Sequence, residues 1–407
     1  MTRRLLALIL ANILGGVGVA SGIAVGALLV ESMGGTWMAG IGQALSILGA
    51  AILAVPLANL ATRRGRGRAL TLGYAVASLG ALTVLAGAWF GLFPLVLLGL
   101  VAFGAAQATN LQSRYAASEL ATPERRATIM SVVLWATTIG SVLGPNLSRA
   151  GADLGTRVRL PELAGPYLFS VTGFVLAGLV IFFLYKGSQP PAAPAIATAA
   201  EPRAMGAMAA LKWATGHPVA RFAVLLIVVG HAVMVGIMSM TPIHLRVLGH
   251  DLGAIGLVIS LHIMGMYALS PVVGWLADKV GAMRTALVGL ILLGLAAVAV
   301  LADTTSYWMV TTGLILLGVG WSFTMISGSA LLARIDSGAV RVPLQGATDA
   351  LMNYGAAAAA ILGGPLLALV GFGGLAVVSA ALIVPAAFVG WLARQHRDRG
   401  FAASDQR

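Results

Sequence analysis

The chain has 407 residues, 59% of them hydrophobic and 9% charged, with a mean hydropathy of +0.95. No soluble protein of this length buries that much apolar surface, so a soluble enzyme is excluded and a polytopic membrane protein is implied. The net charge of +12 is a topology signal and not a nucleic-acid footprint, and the lack of cysteine excludes disulfides and thiolate sites.

Apolar segments of roughly 20 residues, enough to cross a bilayer, recur twelve times: near 5–30, 37–60, 69–90, 92–114, 127–148, 165–186, 221–245, 253–276, 283–302, 306–333, 344–370 and 373–394. The first lacks a small-residue cleavage site and reads as a helix, not a signal peptide. Residues 1–187 hold six segments, 188–216 form a Pro/Ala-rich polar linker, 217–397 hold six more, and 398–407 form a polar tail. With both termini inside, Arg149, Arg157, Arg159 and Arg246 are the outer basic residues and the other 21 of the 25 Lys/Arg face the cytoplasm. That is the positive-inside pattern of a cytoplasmic membrane protein.

The two halves are related by a repeat. Pro123 opens PERRAT and leads to Leu143-Gly144-Pro145, while Pro343 opens PLQGAT and leads to Gly363-Gly364-Pro365. The offset is 220, and Arg114 matches Arg334 at the same offset. A second repeat joins helices two and three of each half: Gly274-Trp-Leu-Ala-Asp278-Lys279-Val-Gly281, and the degraded Ala58-Asn-Leu-Ala-Thr62-Arg63-Arg-Gly65-Arg66.

This arrangement resembles the major facilitator superfamily over nearly the whole chain. The resemblance implies an all-α fold of 12 transmembrane helices in two pseudo-symmetric six-helix bundles, with substrate held between the halves near the midplane. It gives a gating role to the charged turn, hence to Gly274, Asp278, Lys279, Gly281, Arg63 and Arg66. Thr62 stands where the family pattern has an acid, so the Asp278 copy is expected to be the latch. The basic run at 63–68 is also what topogenesis alone would place there.

Gly140-Ser-Val-Leu-Gly144-Pro145 resembles the fifth-helix signature of drug/proton antiporters, though Ser148-Arg149 replaces its closing glycine pair. Small residues at this spacing equally serve tight helix packing, expected of Gly140, Gly144 and Pro145 and of Gly364 and Pro365 in the second half. No acid lies deep in the first helix, where Asn12 is the strong polar group, and Arg114 falls at the end of the fourth. Asp349, close to the inner surface, is expected to snorkel or cap.

Five of the fifteen methionines and four of the six histidines fall within 231–266. His231, Met234 and Met238 fit an arc of roughly 60° on helix seven, and His262 and Met266 share a face of helix eight. Counted from the membrane ends, both sets lie roughly 16–26 Å along their helices. Such pairs are commonly core packing. They are also neutral, soft to borderline donors suited to Cu(I). The MxxxM and HxxxM pair resembles that of the CcoA-like copper importers. That resemblance implies copper import for cytochrome oxidase assembly, with copper as substrate, no prosthetic group, and a periplasmic or cytoplasmic copper chaperone as a possible partner. His231 could be a fourth ligand, a proton carrier or a packing residue. The rival expectation is a proton-coupled exporter of small amphipathic compounds, with His231 or His262 titrating.

Overall fold

The computed structural model describes residues 2–34, 39–185, 205–250, 252–335 and 337–404, and is helical nearly throughout them. In chain order the helices are α1 (Arg3–Gly34), α2 (Ala39–Arg64), α3 (Arg66–Trp89), α4 (Phe93–Ser118), α5 (Arg126–Asn146), α6 (Ser148–Arg157) and α7 (Tyr167–Leu184). There follow α8 (Ala207–Thr215), α9 (Pro218–Val247), α10 (Leu252–Tyr267), α11 (Ser270–Leu276), α12 (Ala282–Ala302), α13 (Tyr307–Ala333) and α14 (Gly338–Ser404).

Ten stretches among the described residues are long and apolar enough to span a membrane. Two of them, Ala254–Ala302 with 49 residues and Gly338–Gln395 with 58, would be roughly 70–90 Å long as straight helices, against a hydrocarbon core of about 30 Å. Each is therefore two crossings, which agrees with the twelve segments of the sequence. Glycines make the breaks. Gly281 has φ 104° and Gly371 φ 67°, a region where a side chain is strained. Gly281 closes a π-helical turn, Ala277–Gly281, ahead of α12, and Gly371 interrupts α14.

Two connections contain short helices outside the apolar segments. The stretch after the fifth segment contains α6 and a short 3-10 turn, Glu162–Ala164. Residues 188–204 of the expected linker lie outside the described residues, but its end is α8, AMAALKWAT. Ala, Leu, Met and Lys are strong helix formers, and Ala210 and Ala214 are buried.

The described chain falls into two compact units. The first comprises 1–120, 132–207 and 337–350, and the second 121–131, 208–336 and 351–407. A few residues of α5 and of α14 thus belong to a different unit from the rest of their helix. In the first unit the helices meet backbone to backbone where glycine replaces a side chain. A Cβ at Gly80 would strike Ala102 and Phe103 of α4, and one at Gly104 would strike Ser46 and Ala50 of α2. On α5, a Cβ at Gly140 would meet the Gly16 backbone at 2.6 Å, and one at Gly144 the Ser21 amide at 2.8 Å. The second copy of this signature differs. Gly364 faces open space, Pro365 is exposed, and it is Gly363 that lies against Met240. The side chain of Pro145 lies outside the described residues.

Candidate functional site

Helix α9 starts on Pro218, whose missing N–H costs nothing at a first helical position. It buries His231 and Met234 and leaves Met238 partly exposed. Helix α10 buries His262 completely and Met266 almost so. Both helices pack on α13, and much less on each other. Glycines allow this close approach: a Cβ at Gly318 of α13 would clash with the His262 carbonyl, and one at Gly230 of α9 with Thr324. The structure thus brings His231 and His262 each against α13.

The two imidazoles have opposite hydrogen-bond states. The Trp321 indole Nε1–H donates to His231 Nδ1 at 2.8 Å. An indole nitrogen only donates, so the lone pair of neutral His231 sits on Nδ1 and is taken. His231 is then no free metal donor unless Trp321 moves. At His262 the partner is the Leu314 carbonyl, 2.7 Å from Nδ1. A carbonyl only accepts, so Nδ1 carries the hydrogen and the lone pair is on Nε2. That Nε2 is buried with no hydrogen-bond partner. An unmet buried acceptor costs about 1–3 kcal/mol, so His262 is poised to receive a donor or a cation. Met266 follows one turn later on the same face.

Tyr267 stands edge-on to Trp321, ring centres 5.5 Å apart, extending the His231–Trp321 pair into a small aromatic cluster. The other two histidines of the cluster lie apart from this one. His244 contacts the Thr304 carbonyl at 2.6 Å and stacks on Phe372 at 4.1 Å, and His250 leans on Tyr307. Among the described residues no three His, Cys, Asp or Glu side chains form a metal cage, so a metal here would draw on thioether sulfur.

The charged turns have distinct geometries. Asp278 accepts from the Ala127 and Thr128 amides at 3.1 and 2.7 Å and from the Thr128 hydroxyl at 2.8 Å. These are free amides of the first turn of α5, so a carboxylate from another helix caps it and meets its positive end. Gly274 makes the approach possible, since a Cβ there would meet the Ala127 carbonyl at 2.6 Å. Exposed Lys279 lies over the Trp275 ring at 4.7 Å. In the degraded copy Thr62 only bonds back to Ala58 of its own helix, and Arg63 is exposed. Buried Arg66 instead reaches Glu119 at 3.0 Å and Gln345 at 2.7 Å.

Asp349 does not snorkel or cap. It is 1% exposed and pairs with fully buried Arg114 at 2.6 Å. The apolar pattern misses this because nothing in either helix says that it faces the other. The signal available was a lone charge inside each apolar segment. Trp321 and the Leu314 carbonyl were missed for the same reason. Of the polar residues within the other apolar segments, Asn12 donates to Ser113 at 2.6 Å and Tyr74 to Asn110 at 2.7 Å, while Gln43 and Tyr354 are exposed.

The sequence profile of the Major Facilitator Superfamily matches residues 36–334 and 237–406. The chain is 38% identical over 371 residues to the "Uncharacterized MFS-type transporter YdeG" of Bacillus subtilis (strain 168), covering 90% of this chain and 86% of that one. It is 29% identical over 325 residues to the "Riboflavin transporter RfnT" of Brucella anthropi, covering 79% and 77%. The solved structure of the human organic anion transporter MFSD10 (TETRAN) has the same fold, with a TM-score of 0.77 at 17% identity over 95% of this chain and 99% of that one.

Proposed function

The chain belongs to the major facilitator superfamily, a family of carriers and not of enzymes. From that premise we propose that it moves small amphipathic organic solutes, heteroaromatic ones foremost, across the bacterial cytoplasmic membrane by proton-coupled alternating access. Residues 1–187 and 217–397 would be its two six-helix halves, with both termini cytoplasmic. The observation that carries the solute class is the Trp321–His231 hydrogen bond beside Tyr267. It occupies the one lone pair of a neutral His231 and makes a rigid aromatic group with hydrogen-bonding edges, which suits a flat ring system better than an ion. The name of the riboflavin transporter points the same way.

Copper import for cytochrome oxidase assembly, drawing on a copper chaperone, is the second reading. One observation favours it: the buried, unmet Nε2 of His262 with Met266 one turn away. Met234 and Met238 would have to complete the site from α9.

Radiolabelled riboflavin in right-side-out and everted vesicles tests the first reading, with other heteroaromatic compounds as competitors. Proton-gradient-dependent movement that falls about tenfold in Trp321→Phe, the effect of one lost buried hydrogen bond, supports it. No movement of any compound, together with reductant-dependent copper in the purified protein, favours copper instead.

A further inference from the structure

The Arg114–Asp349 pair has no role in the solute reading proposed above. Its side chains are 0% and 1% exposed. Charges enclosed in an apolar helix bundle are rare, because each is costly to strip of water, and those present mark ion and proton pathways. The arginine does not depend on the aspartate alone. Nη1 donates to the Leu111 carbonyl at 2.6 Å and Nη2 to the Tyr115 hydroxyl at 3.0 Å, and the guanidinium carbon lies 4.3 Å from the Tyr115 ring centre. These partners are on its own helix and would keep the cation in place if the carboxylate were neutral. Protonation of Asp349 therefore removes its charge–charge attraction to Arg114 while the arginine stays charged and held.

The surrounding charges leave this step to Asp349. Arg66 binds Gln345, one turn before Asp349, and has Glu119 as its own counter-ion. Helix α2 meets Gly346 through Ala54 and Ala58, which carry no charge. The repeat supplies no second copy: at the 220 offset Asp349 matches Ile129, and Arg334, which matches Arg114, is exposed.

We propose that Asp349 is the proton-binding site of the transport cycle, its protonation breaking the Arg114 ion pair and freeing residues 337–350 from the first unit. This rests on the transporter reading and on no particular solute. The cysteine-free chain takes spin labels at Arg68→Cys and Arg284→Cys, both exposed positions. Distances are measured on the purified protein in lipid nanodiscs between about pH 5 and pH 9. The expected result is a shift between two distance populations, with Asp349→Asn fixed in the low-pH population throughout. Infrared difference spectra over the same range should contain a protonated carboxyl band that Asp349→Asn lacks. The band is read on the unsubstituted protein too, so a variant that fails to fold does not block the test. Distances indifferent to pH, a shift unchanged in Asp349→Asn, or no titrating buried carboxyl overturns the proposal. No solute is added, so a wrong solute assignment cannot produce any of these results.

Discussion

Two histidines of one residue type, thirty-one positions apart, are set to different chemistry by one neighbour each. A donor-only indole takes the lone pair of His231, and an acceptor-only carbonyl fixes the hydrogen of His262 and leaves its lone pair unmet. The methionines are judged by a substitution that keeps volume. Met→Leu costs under about 1.5 kcal/mol in a core but removes the sulfur. Met234→Leu with Met238→Leu is expected to insert normally and to keep riboflavin movement within about twofold. Loss of copper uptake in that double variant, with Met325→Leu on α13 as control, is the outcome that would restore the copper reading. His262→Phe removes the unmet buried acceptor on which only the copper reading draws, and should likewise leave riboflavin movement within about twofold.

At the scale of the element, the Asp278 cap and the glycine contacts carry the energetics. A carboxylate at a helix N-terminus contributes about 0.3–1 kcal/mol, and up to about 2 when partly buried. Asp278→Asn keeps the size and loses the charge. It should slow transport several-fold while solute binding, measured by equilibrium dialysis, stays within about twofold, since about 1 kcal/mol changes a two-state ratio about fivefold. Equal losses of binding and transport would reject that division of roles. The two copies of the packing signature make opposite predictions. Gly140→Ala should lower the thermal unfolding temperature in detergent, because its Cβ would meet the Gly16 backbone at 2.6 Å. Gly364→Ala has open space and should be neutral or stabilise by up to about 1 kcal/mol. The repeat was legible in sequence as a spacing. Which glycine of Gly363-Gly364 faces a neighbour was not, because a 100° step between adjacent positions turns one inward and the other out.

For the whole molecule the membrane fixes the architecture. Every backbone polar group must be satisfied within its own segment, so twelve apolar stretches become twelve helical crossings. The basic residues set the expected orientation. A cysteine replacing exposed Lys212 on α8 should be labelled only from the cytoplasmic side and one replacing exposed Arg246 only from outside. Reversed labelling would overturn the topology.

Composition, hydropathy and the 220-residue offset therefore determined the class, the crossings and the family, because each depends on the solvent a segment faces or on a spacing along the chain. The sequence also singled out His231 and His262 as the ionisable groups to watch on helices seven and eight. Tertiary structure decided the rest. Hydrogen-bond state, ion pairing and the face a helix turns to its neighbour depend on residues far apart in the chain: Trp321 on His231, Leu314 on His262, and Asp349 on Arg114. An apolar helix has the same one-dimensional pattern whether its single charge points to water or to a counter-charge, and only packing distinguishes the two.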